Sequence, residues 1–255
     1  MVHPHSQAYE QHCEGFFLIT DKKGSACSYE NFVKKCEAFD SQKTGHLDFR
    51  GPTVFWNQMF RMFRGVLLEK SRKKGFPLYV IGKDFSLFPK ETTFYWDLTP
   101  LNKTFTPFLK EQFRDLHNPD NMMPGINTCQ LLLGHAMSFT GWHTENVNLP
   151  SINCLHSGKP KYWVVVAEKH GELLKAFFRK SMPSFYKKCR AAELSEWDYI
   201  ITFLGAFHFV VNSGLNVAQA TNFAFPEWLP FAKAWEGCTC MYSKSLTAVS
   251  SSFNL

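Results

Sequence analysis

The sequence predicts a mainly β protein with surrounding helices, folded as a sandwich or a barrel. The chain has 255 residues, of which 45% are hydrophobic, and this supports one substantial core. From residue 128 onward, short apolar runs alternate with Gly, Pro, Asn and Ser, as strands alternate with turns. The high share of Phe, Tyr and Trp indicates a packed globular chain and excludes a disordered one.

The N-terminal part is predicted to contain one strand and one helix. Residues 1–15 are polar and His-rich, and we expect them to be frayed. Residues 16–19 predict a strand that ends in a turn at residues 21–24. Ser28 is placed to cap a helix, because apolar residues recur after it at helical spacing. These residues are Phe32, Val33, Cys36 and Phe39.

A second helix is predicted over residues 104–116, where one face would carry Phe105, Phe108, Leu109, Phe113 and Leu116. The half of the chain after residue 128 then contains the predicted strands, which lie at residues 129–133, 151–155, 162–167, 199–203, 207–211 and 217–223. Helical segments are expected to interrupt these strands near residues 169–178 and 228–235. We find no internal repeat.

The charge balance is mildly basic, with 28 Lys and Arg against 22 Asp and Glu. The simplest interpretation of such an excess is ordinary solubility, and the more specific alternative is an acidic partner such as chromatin or nucleic acid. Basic clusters at residues 70–74 and 187–190 are candidates for phosphate contact, although such clusters are most often solvated loops.

The sequence favours an intracellular protein without a membrane partner. No apolar run approaches the roughly 20 residues of a membrane span, and the N-terminus has no secretory pattern. The 8 Cys are therefore expected to be reduced thiols. Cys154 lies in an apolar run and is interpreted as a small buried hydrophobic residue.

Three residues predict a metal centre. His143 and Glu145 are two positions apart, so their side chains would share one face of an extended segment. With His208 they supply two imidazoles and one carboxylate, which hold non-heme Fe(II) in oxygenases. A short His-x-Glu pattern alone is frequent by chance, so the surrounding sequence has to support this interpretation.

Lys161 is the candidate partner for an anionic cosubstrate. It directly precedes an apolar strand-like run, and a Lys in such a place needs an anion or a carbonyl to satisfy it. The far carboxylate of 2-oxoglutarate would be such an anion. The alternative is a Lys at a strand end that extends its ammonium into water.

Residues 141–145, 151–163 and 216–224 together resemble the JmjC-domain histone lysine demethylases. They read GWHTE, SINCLHSGKPKYW and NVAQATNFA, and they are most similar to the zinc-containing JmjN/JmjC subgroup that acts on trimethylated histone H3 lysines. The resemblance implies a double-stranded β-helix, which is a jelly-roll of the cupin type. It implies a JmjC catalytic domain at residues 76–240, a divergent JmjN equivalent at residues 1–75 and a flexible Ser-rich tail at residues 241–255.

The resemblance also implies roles for individual residues. The implied iron ligands are His143, Glu145 and His208. The residues implied to bind 2-oxoglutarate are Tyr79, Asn153, Lys161 and Trp163. The residues implied to line the methyl-lysine pocket are Gly125, Leu132, Glu145, Ala220, Thr221 and Asn222. The candidate zinc ligands are Cys238, Cys240 and Cys189, with His156 or His170 as alternatives that would complete the site.

The implied activity is demethylation of lysine in the histone H3 tail by N-methyl hydroxylation, with release of formaldehyde and succinate. Its cofactor would be Fe(II), its cosubstrate 2-oxoglutarate, and its partner chromatin in the nucleus, bound by a monomer. Leu132 and Thr140 depart from the family, because its members carry aromatic residues at both places. These departures keep two alternatives open: a hydroxylase of a non-histone protein, and a non-catalytic chromatin-binding protein.

Overall fold

The computed structural model describes residues 1–13, 16–43, 57–58, 78–82, 97–115, 118–181, 193–194, 199–235 and 251–254. The strands, in chain order, are β1 (His5–Cys13), β2 (Phe16–Lys23), β3 (Leu78–Gly82), β4 (Gln130–Gly134), β5 (Phe139–His143), β6 (Ser151–Gly158), β7 (Lys161–Val166), β8 (Glu193–Leu194), β9 (Tyr199–Thr202), β10 (Phe207–Asn212) and β11 (Asn216–Asn222). The α-helices used below are α1 (Tyr29–Lys43), α2 (Gly171–Ser181) and α3 (Leu229–Lys233).

The strands form two sheets. The larger has the order β2-β1-β3-β4-β11-β6-β9, and the smaller has the order β5-β10-β7 with β8 added beside β10. All pairs within the larger sheet are antiparallel. Side chains join the two sheets across the interior: the Tyr79 hydroxyl on β3 lies 3.2 Å from the Thr140 hydroxyl on β5. This architecture confirms the prediction of a mainly β jelly-roll.

Alternation along β4 separates the two faces of the larger sheet. Leu131 and Leu133 point outward and pack with Phe32 and Cys36 of α1 in one buried cluster. Leu132 points inward. The predicted helix is confirmed together with its cap, since the Ser28 hydroxyl accepts a hydrogen bond from the Asn31 amide (3.2 Å).

The predicted helix at residues 104–116 is wrong. Short 3₁₀ helices occupy Thr99–Phe105 and Glu111–Phe113 instead. Pro107 lies between them, and a proline inside an α-helix removes one backbone hydrogen bond and clashes with the preceding turn. The apolar side chains are nevertheless core, because Phe105 and Leu109 are buried in one cluster with Trp228 and Phe253. Leu116 lies outside the described residues.

The expectation that residues 1–15 are frayed is also wrong. His5–Cys13 forms β1, which pairs with β2 on one side and with β3 on the other. The buried Gln7 side chain crosses to the smaller sheet, where it donates to the Phe139 carbonyl (2.6 Å) and accepts from the Phe139 amide (2.7 Å). The polar composition of β1 gave no sign that it is a strand. The Gln7 carboxamide holds β1 in place through hydrogen bonds to the backbone, and not by apolar packing in the core.

Each predicted strand of the second half is found, with ends that shift by up to three residues, and β5 and β8 are additional strands there. Strand β3, earlier in the chain, was not predicted either. Helices α2 and α3 lie where helical segments were expected. In the described part of the chain, no helix has the length and apolar character to cross a membrane. The domain division at residues 75 and 240 stays a prediction.

Candidate active site

His143, Glu145 and His208 lie together between the two sheets, and we call them the metal cluster. One ligand atom from each falls within 4.8 Å of the others. Nε2 of His208 lies 3.1 Å from Oε1 of Glu145, and Nε2 of His143 lies 3.6 Å from the same oxygen. The three donors therefore converge on one small volume, as a single metal ion requires.

Strand pairing brings the two histidines together. His143 ends β5 and lies directly opposite His208 on β10, so strand pairing places two residues that are 65 positions apart in the sequence side by side in the sheet. Glu145 lies two residues after His143, immediately before a short 3₁₀ turn. Val147 in that turn is fully buried and has a φ of 55°, a left-handed conformation that is rare for a β-branched residue. The Trp228 indole donates to the Val147 carbonyl (2.9 Å) and so holds the turn in place.

Neighbouring groups orient two of the ligands. Nδ1–H of His208 donates to the Ala206 carbonyl (2.8 Å), which leaves Nε2 to face the cluster. The Asn222 side chain donates from Nδ2 to Oε2 of Glu145 (2.9 Å), so the other carboxylate oxygen faces the histidines. Such partners fix ring tautomer and carboxylate direction before a metal arrives.

The metal cluster keeps its carboxylate ionised. Burial raises the pKa of Glu145, but the His143 and His208 side chains beside it outweigh that effect and hold the pKa well below its usual value. An ionised carboxylate next to two imidazoles fits a divalent cation, because a metal ligand must be deprotonated. The residues present therefore suit Fe(II) in number and chemical type.

Lys161, Asn212 and Tyr79 form a second group, which we call the lysine end. Nζ of Lys161 donates to Oδ1 of Asn212 (2.8 Å) and lies 6.0 Å from the centre of the Tyr79 ring. Asn212 is four residues beyond His208 on β10, which places it about 13 Å further along the strand on the same face. The two groups therefore occupy opposite ends of one interior.

The lysine end carries a buried cation that has no anionic partner among the described residues. Lys161 is 3% exposed, and within the described residues it has no carboxylate partner. Burial lowers the pKa of its ammonium to about 7. Ionised ammonium groups in an apolar interior are costly unless they are paired, so this position favours an incoming carboxylate.

Asn212 is a site residue that the sequence reasoning missed. Its Nδ2 donates to the Ser138 hydroxyl (2.8 Å), and its Oδ1 also accepts from Nδ2 of Asn216 (3.0 Å). A side chain at Gly134 would collide with both asparagines, so glycine there makes room for the pair. Alternation from His208 through Val210 to Asn212 could have revealed it, had the strand boundaries been known.

The remaining residues predicted to bind 2-oxoglutarate also face the interior. Asn153 on β6 is buried opposite Ala220 of β11. Trp163 is half-buried on β7, two residues from Lys161 and on the same face of the strand. Both therefore lie on the walls between the lysine end and the metal cluster.

The predicted substrate pocket divides between two faces of the sheet. Ala220 and Asn222 point inward, and the Asn222 amide donates to the Gly125 carbonyl (2.6 Å). Thr221 points to the opposite face, where its hydroxyl donates to Oδ1 of Asn102 (2.8 Å), so the structure separates it from Glu145. The reason is the two-residue period of a strand.

Leu132 faces inward but packs at the lysine end, in a cluster with Tyr79 and Ala218. The sequence motif alone placed it beside the substrate.

The candidate zinc ligands Cys189, Cys238 and Cys240 lie outside the described residues, and so do the basic clusters at residues 70–74 and 187–190. Cys154 is buried, as predicted, and its Sγ lies 3.8 Å from Nδ1 of His156. His170 is exposed on a 3₁₀ helix. Within the described residues, the metal cluster is the one group with the ligand set of a metal site.

Comparison with known proteins matches residues 130–200 to the family described as "JmjC domain, hydroxylase". The chain is 30% identical to human probable lysine-specific demethylase 4F over 194 residues, which is 67% of this chain and 29% of that protein. It is 27% identical to rat lysine-specific demethylase 4D over 250 residues, or 89% of this chain and 45% of the rat protein. Mouse lysine-specific demethylase 4B is 33% identical over 143 residues, which is 47% of this chain and 13% of the mouse protein.

The chain thus spans less than half the length of these curated relatives. The matched segment contains His143, Glu145 and Lys161, which belong to both ends of the interior.

Proposed function

We propose, on the premise that this chain carries a JmjC domain and is homologous to the group 4 lysine-specific demethylases, that it is an Fe(II)- and 2-oxoglutarate-dependent dioxygenase. Its proposed substrate is methylated lysine in the histone H3 tail. One observation supports the proposal: a ligand set for Fe(II) shares one interior with a buried ammonium that has no anionic partner in the part of the chain that the structure describes. Both are needed to hold a metal and a dicarboxylate cosubstrate at once.

His143, Glu145 and His208 would hold the iron. Their two imidazoles and one carboxylate match the ligand set of non-heme Fe(II) oxygenases. When bound, Fe(II) with 2-oxoglutarate supplies the activation of O₂ that hydroxylation of a C–H bond requires. The Ala206 carbonyl holds His208 in place, and the side-chain carboxamide of Asn222 holds Glu145 in place. We therefore expect little reorganisation of these ligands when the metal binds.

Lys161 would bind the far carboxylate of 2-oxoglutarate. A carboxylate beside the ammonium replaces an unpaired buried charge with an ion pair, which is the more favourable state in an interior of low polarity. The Tyr79 hydroxyl lies beside Thr140 and would donate a hydrogen bond to the same carboxylate. Asn153 and Trp163 would form the walls of this pocket.

Gly125, Ala220, Asn222 and Glu145 would accept the methylated lysine next to the iron. Hydroxylation of an N-methyl group gives an N-hydroxymethyl amine. This product breaks its C–N bond to release formaldehyde and the amine with one methyl group fewer, while 2-oxoglutarate leaves as succinate and CO₂. Because the reaction begins at a C–H bond, it needs no lone pair on the nitrogen.

The proposal extends to context. A methylated histone tail as substrate implies chromatin as partner and the nucleus as location. The zinc site at Cys189, Cys238 and Cys240 and the division into a JmjN-like segment and a JmjC domain remain parts of the proposal that rest on the family resemblance.

The test is turnover of methylated H3-tail peptides by purified protein with Fe(II), ascorbate and 2-oxoglutarate. We expect succinate and formaldehyde in equal amounts and a peptide mass that falls by one methyl group. The matched control is Glu145→Gln, which keeps the shape of the side chain and removes the charge that binds metal. Succinate formation without any change in a methylated peptide would contradict demethylation and leave the oxygenase proposal intact.

The aliphatic side chain of Leu132 supports a second candidate, a hydroxylase of a non-histone protein. The demethylases carry an aromatic residue at this place, whereas Leu132 packs with Tyr79 and Ala218 at the lysine end, so this position supplies no aromatic ring for contact with a methylated cation. This candidate predicts the gain of one oxygen atom on a protein target without loss of a methyl group, which mass spectrometry distinguishes from demethylation.

A further inference from the structure

We propose that the carboxamide of Gln130 determines which methylation state of the substrate lysine binds, and that it favours a lysine whose nitrogen still bears hydrogen. The pocket would then favour mono- and dimethylated lysine over the trimethylated form. This inference rests on the proposed function, since it concerns the substrate side of the same site.

Gln130 is placed at the pocket by the register of the larger sheet. It begins β4 and lies opposite Ala220 of β11. Its side chain points inward like that of Leu132, because the intervening Leu131 packs outward on α1. Asn222 is its diagonal neighbour on β11, at a separation of about 7–8 Å. Asn222 in turn donates to Glu145 of the metal cluster.

The carboxamide of Gln130 lies against Gly125. A Cβ atom at Gly125 would fall 2.9 Å from Oε1 and 3.0 Å from Cδ of Gln130, so this approach requires glycine. Gly125 also has a φ of +81°, which L side chains rarely adopt. The positive φ and the close contact with Gln130 thus both require glycine at position 125, and the carboxamide of Gln130 fills the space that a side chain there would take.

This carboxamide is available to a ligand. Gln130 is half-buried, and within the described part of the chain its side chain makes no hydrogen bond. Two other carboxamides of this interior are engaged: Asn222 bonds Glu145, and Asn212 bonds Lys161 and Ser138. An unsatisfied amide at the rim of a binding site gains most from a ligand that supplies the missing partner.

The chemistry of the partner follows from the oxygen of the carboxamide. A protonated mono- or dimethylated lysine offers an N–H group, which forms a charge-assisted hydrogen bond to Oε1. A trimethylated lysine presents only C–H groups to this oxygen, and C–H···O contacts are considerably weaker. The difference corresponds to a preference of about tenfold for the dimethylated over the trimethylated peptide.

The test measures binding rather than turnover. Fluorescently labelled H3-tail peptides, each with one lysine in the mono-, di- or trimethylated state, are titrated with the protein, Fe(II) and 2-oxoglutarate under anaerobic conditions. Without O₂ the substrates stay intact. We expect the dimethylated peptide to bind about tenfold more tightly than the trimethylated one.

Two variants assign the preference to Gln130. Gln130→Leu removes the acceptor at similar size and should bring the ratio of the two affinities close to one. Gln130→Glu keeps an acceptor oxygen, so it should bind all three peptides more tightly and retain the ratio. Because the readout is a ratio within one protein sample, a partly inactive preparation does not distort it.

Three results would overturn the inference: a wild-type protein that binds the trimethylated peptide at least as tightly, a ratio unchanged in Gln130→Leu, or no binding of any methylated peptide. Succinate formation in air is measured in parallel. Absence of succinate together with the expected affinity ratio would contradict the proposed oxygenase activity and leave the role of Gln130 standing.

Discussion

The metal cluster and the lysine end are both buried in the same interior, yet they carry charge differently. In the metal cluster, Glu145 is ionised, and one of its carboxylate oxygens lies 3.1 Å from Nε2 of His208 and 3.6 Å from Nε2 of His143, so the carboxylate already has partners in the protein. At the lysine end, Lys161 faces a neutral amide, and its pKa falls to about 7 as a result of burial. One end is therefore assembled before its ligand arrives, and the other is completed by its ligand.

This difference predicts which changes affect binding and which affect stability. Loss of a ligand from the metal cluster removes the metal but leaves the remaining groups to bond each other. Loss of Lys161 removes cosubstrate affinity and at the same time relieves an unfavourable buried charge. The predictions below test this contrast.

The largest effect is expected for His208→Ala. His208 is 3% exposed and supplies one of three ligands, so we expect its removal to abolish detectable Fe(II) binding and peptide turnover. Fe(II) content after anaerobic loading and succinate formation measure the two effects. His3→Ala is the matched control, because His3 is exposed near the N-terminus. Full Fe(II) content in His208→Ala would show that the cluster is not the iron site.

The next effect is expected for Lys161→Met, which keeps the length of the side chain without its charge. We expect the KM for 2-oxoglutarate to rise by about 100-fold or more, since a buried ion pair contributes several kcal/mol once its partner is in place. Fe(II) content should stay at the wild-type level. Lys159→Met, at an exposed position in the same hairpin, serves as control. An unchanged KM would remove Lys161 from the cosubstrate site.

Lys161→Met also measures how much the buried Lys161 lowers the free energy of unfolding. The pKa of Lys161 is about 7 in the folded protein and 10.5 in an unperturbed chain, so the unfolded state binds more protons between these pH values. The free energy of unfolding of the wild type therefore rises with pH across this window, by up to about 1.4 kcal/mol per pH unit. In Lys161→Met that rise should be absent, and its stability advantage should be largest at pH 7 and below.

How far the sequence predicts the site follows from the same contrast. His143 and Glu145 are two residues apart, and Lys161 lies in an extended motif, so both ends could be recognised without coordinates. Asn212 and Gln130 could not be recognised from the sequence. Their positions in the site depend on strand register, and neither lies in a motif that marks it as functional. Local patterns identify charged groups well, whereas the neutral amides that surround them depend on pairings over long separations.

The face of a strand on which a side chain lies explains the remaining differences between the sequence predictions and the structure. Thr221 and Asn222 are adjacent in one motif, and both were predicted to line the pocket, yet they point to opposite sides of β11. For the fold, apolar runs predicted the core strands, and polar β1 was missed because its buried Gln7 bonds a backbone across the two sheets. Pro107 was the visible signal against the helix at residues 104–116.

Affinity for 2-oxoglutarate should depend on pH through Lys161. Below pH 7 the ammonium is charged and binds the far carboxylate. Above pH 7 the free protein carries a neutral amine, and binding has to take up a proton, so Kd should rise about tenfold per pH unit. Anaerobic calorimetry from pH 6 to pH 9, a range chosen to span a pKa of about 7, measures this slope. Lys161→Arg keeps its charge at these pH values and should lose the slope. A flat wild-type profile would contradict the assignment.

The smallest effect is expected for Asn222→Ala, which removes a group that holds a ligand while the ligand itself remains. Outer partners of this kind typically contribute about 10-fold to metal affinity, so Fe(II) should bind about tenfold more weakly while the protein still folds. Thr221→Val is the control, because it removes a buried hydrogen bond on the opposite face of the same strand. It should lower the free energy of unfolding and leave Fe(II) affinity unchanged. Equal loss of Fe(II) affinity in both variants would mean that strand β11 supports the metal cluster through its general stability, and that the bond from Asn222 to Glu145 has no separate role.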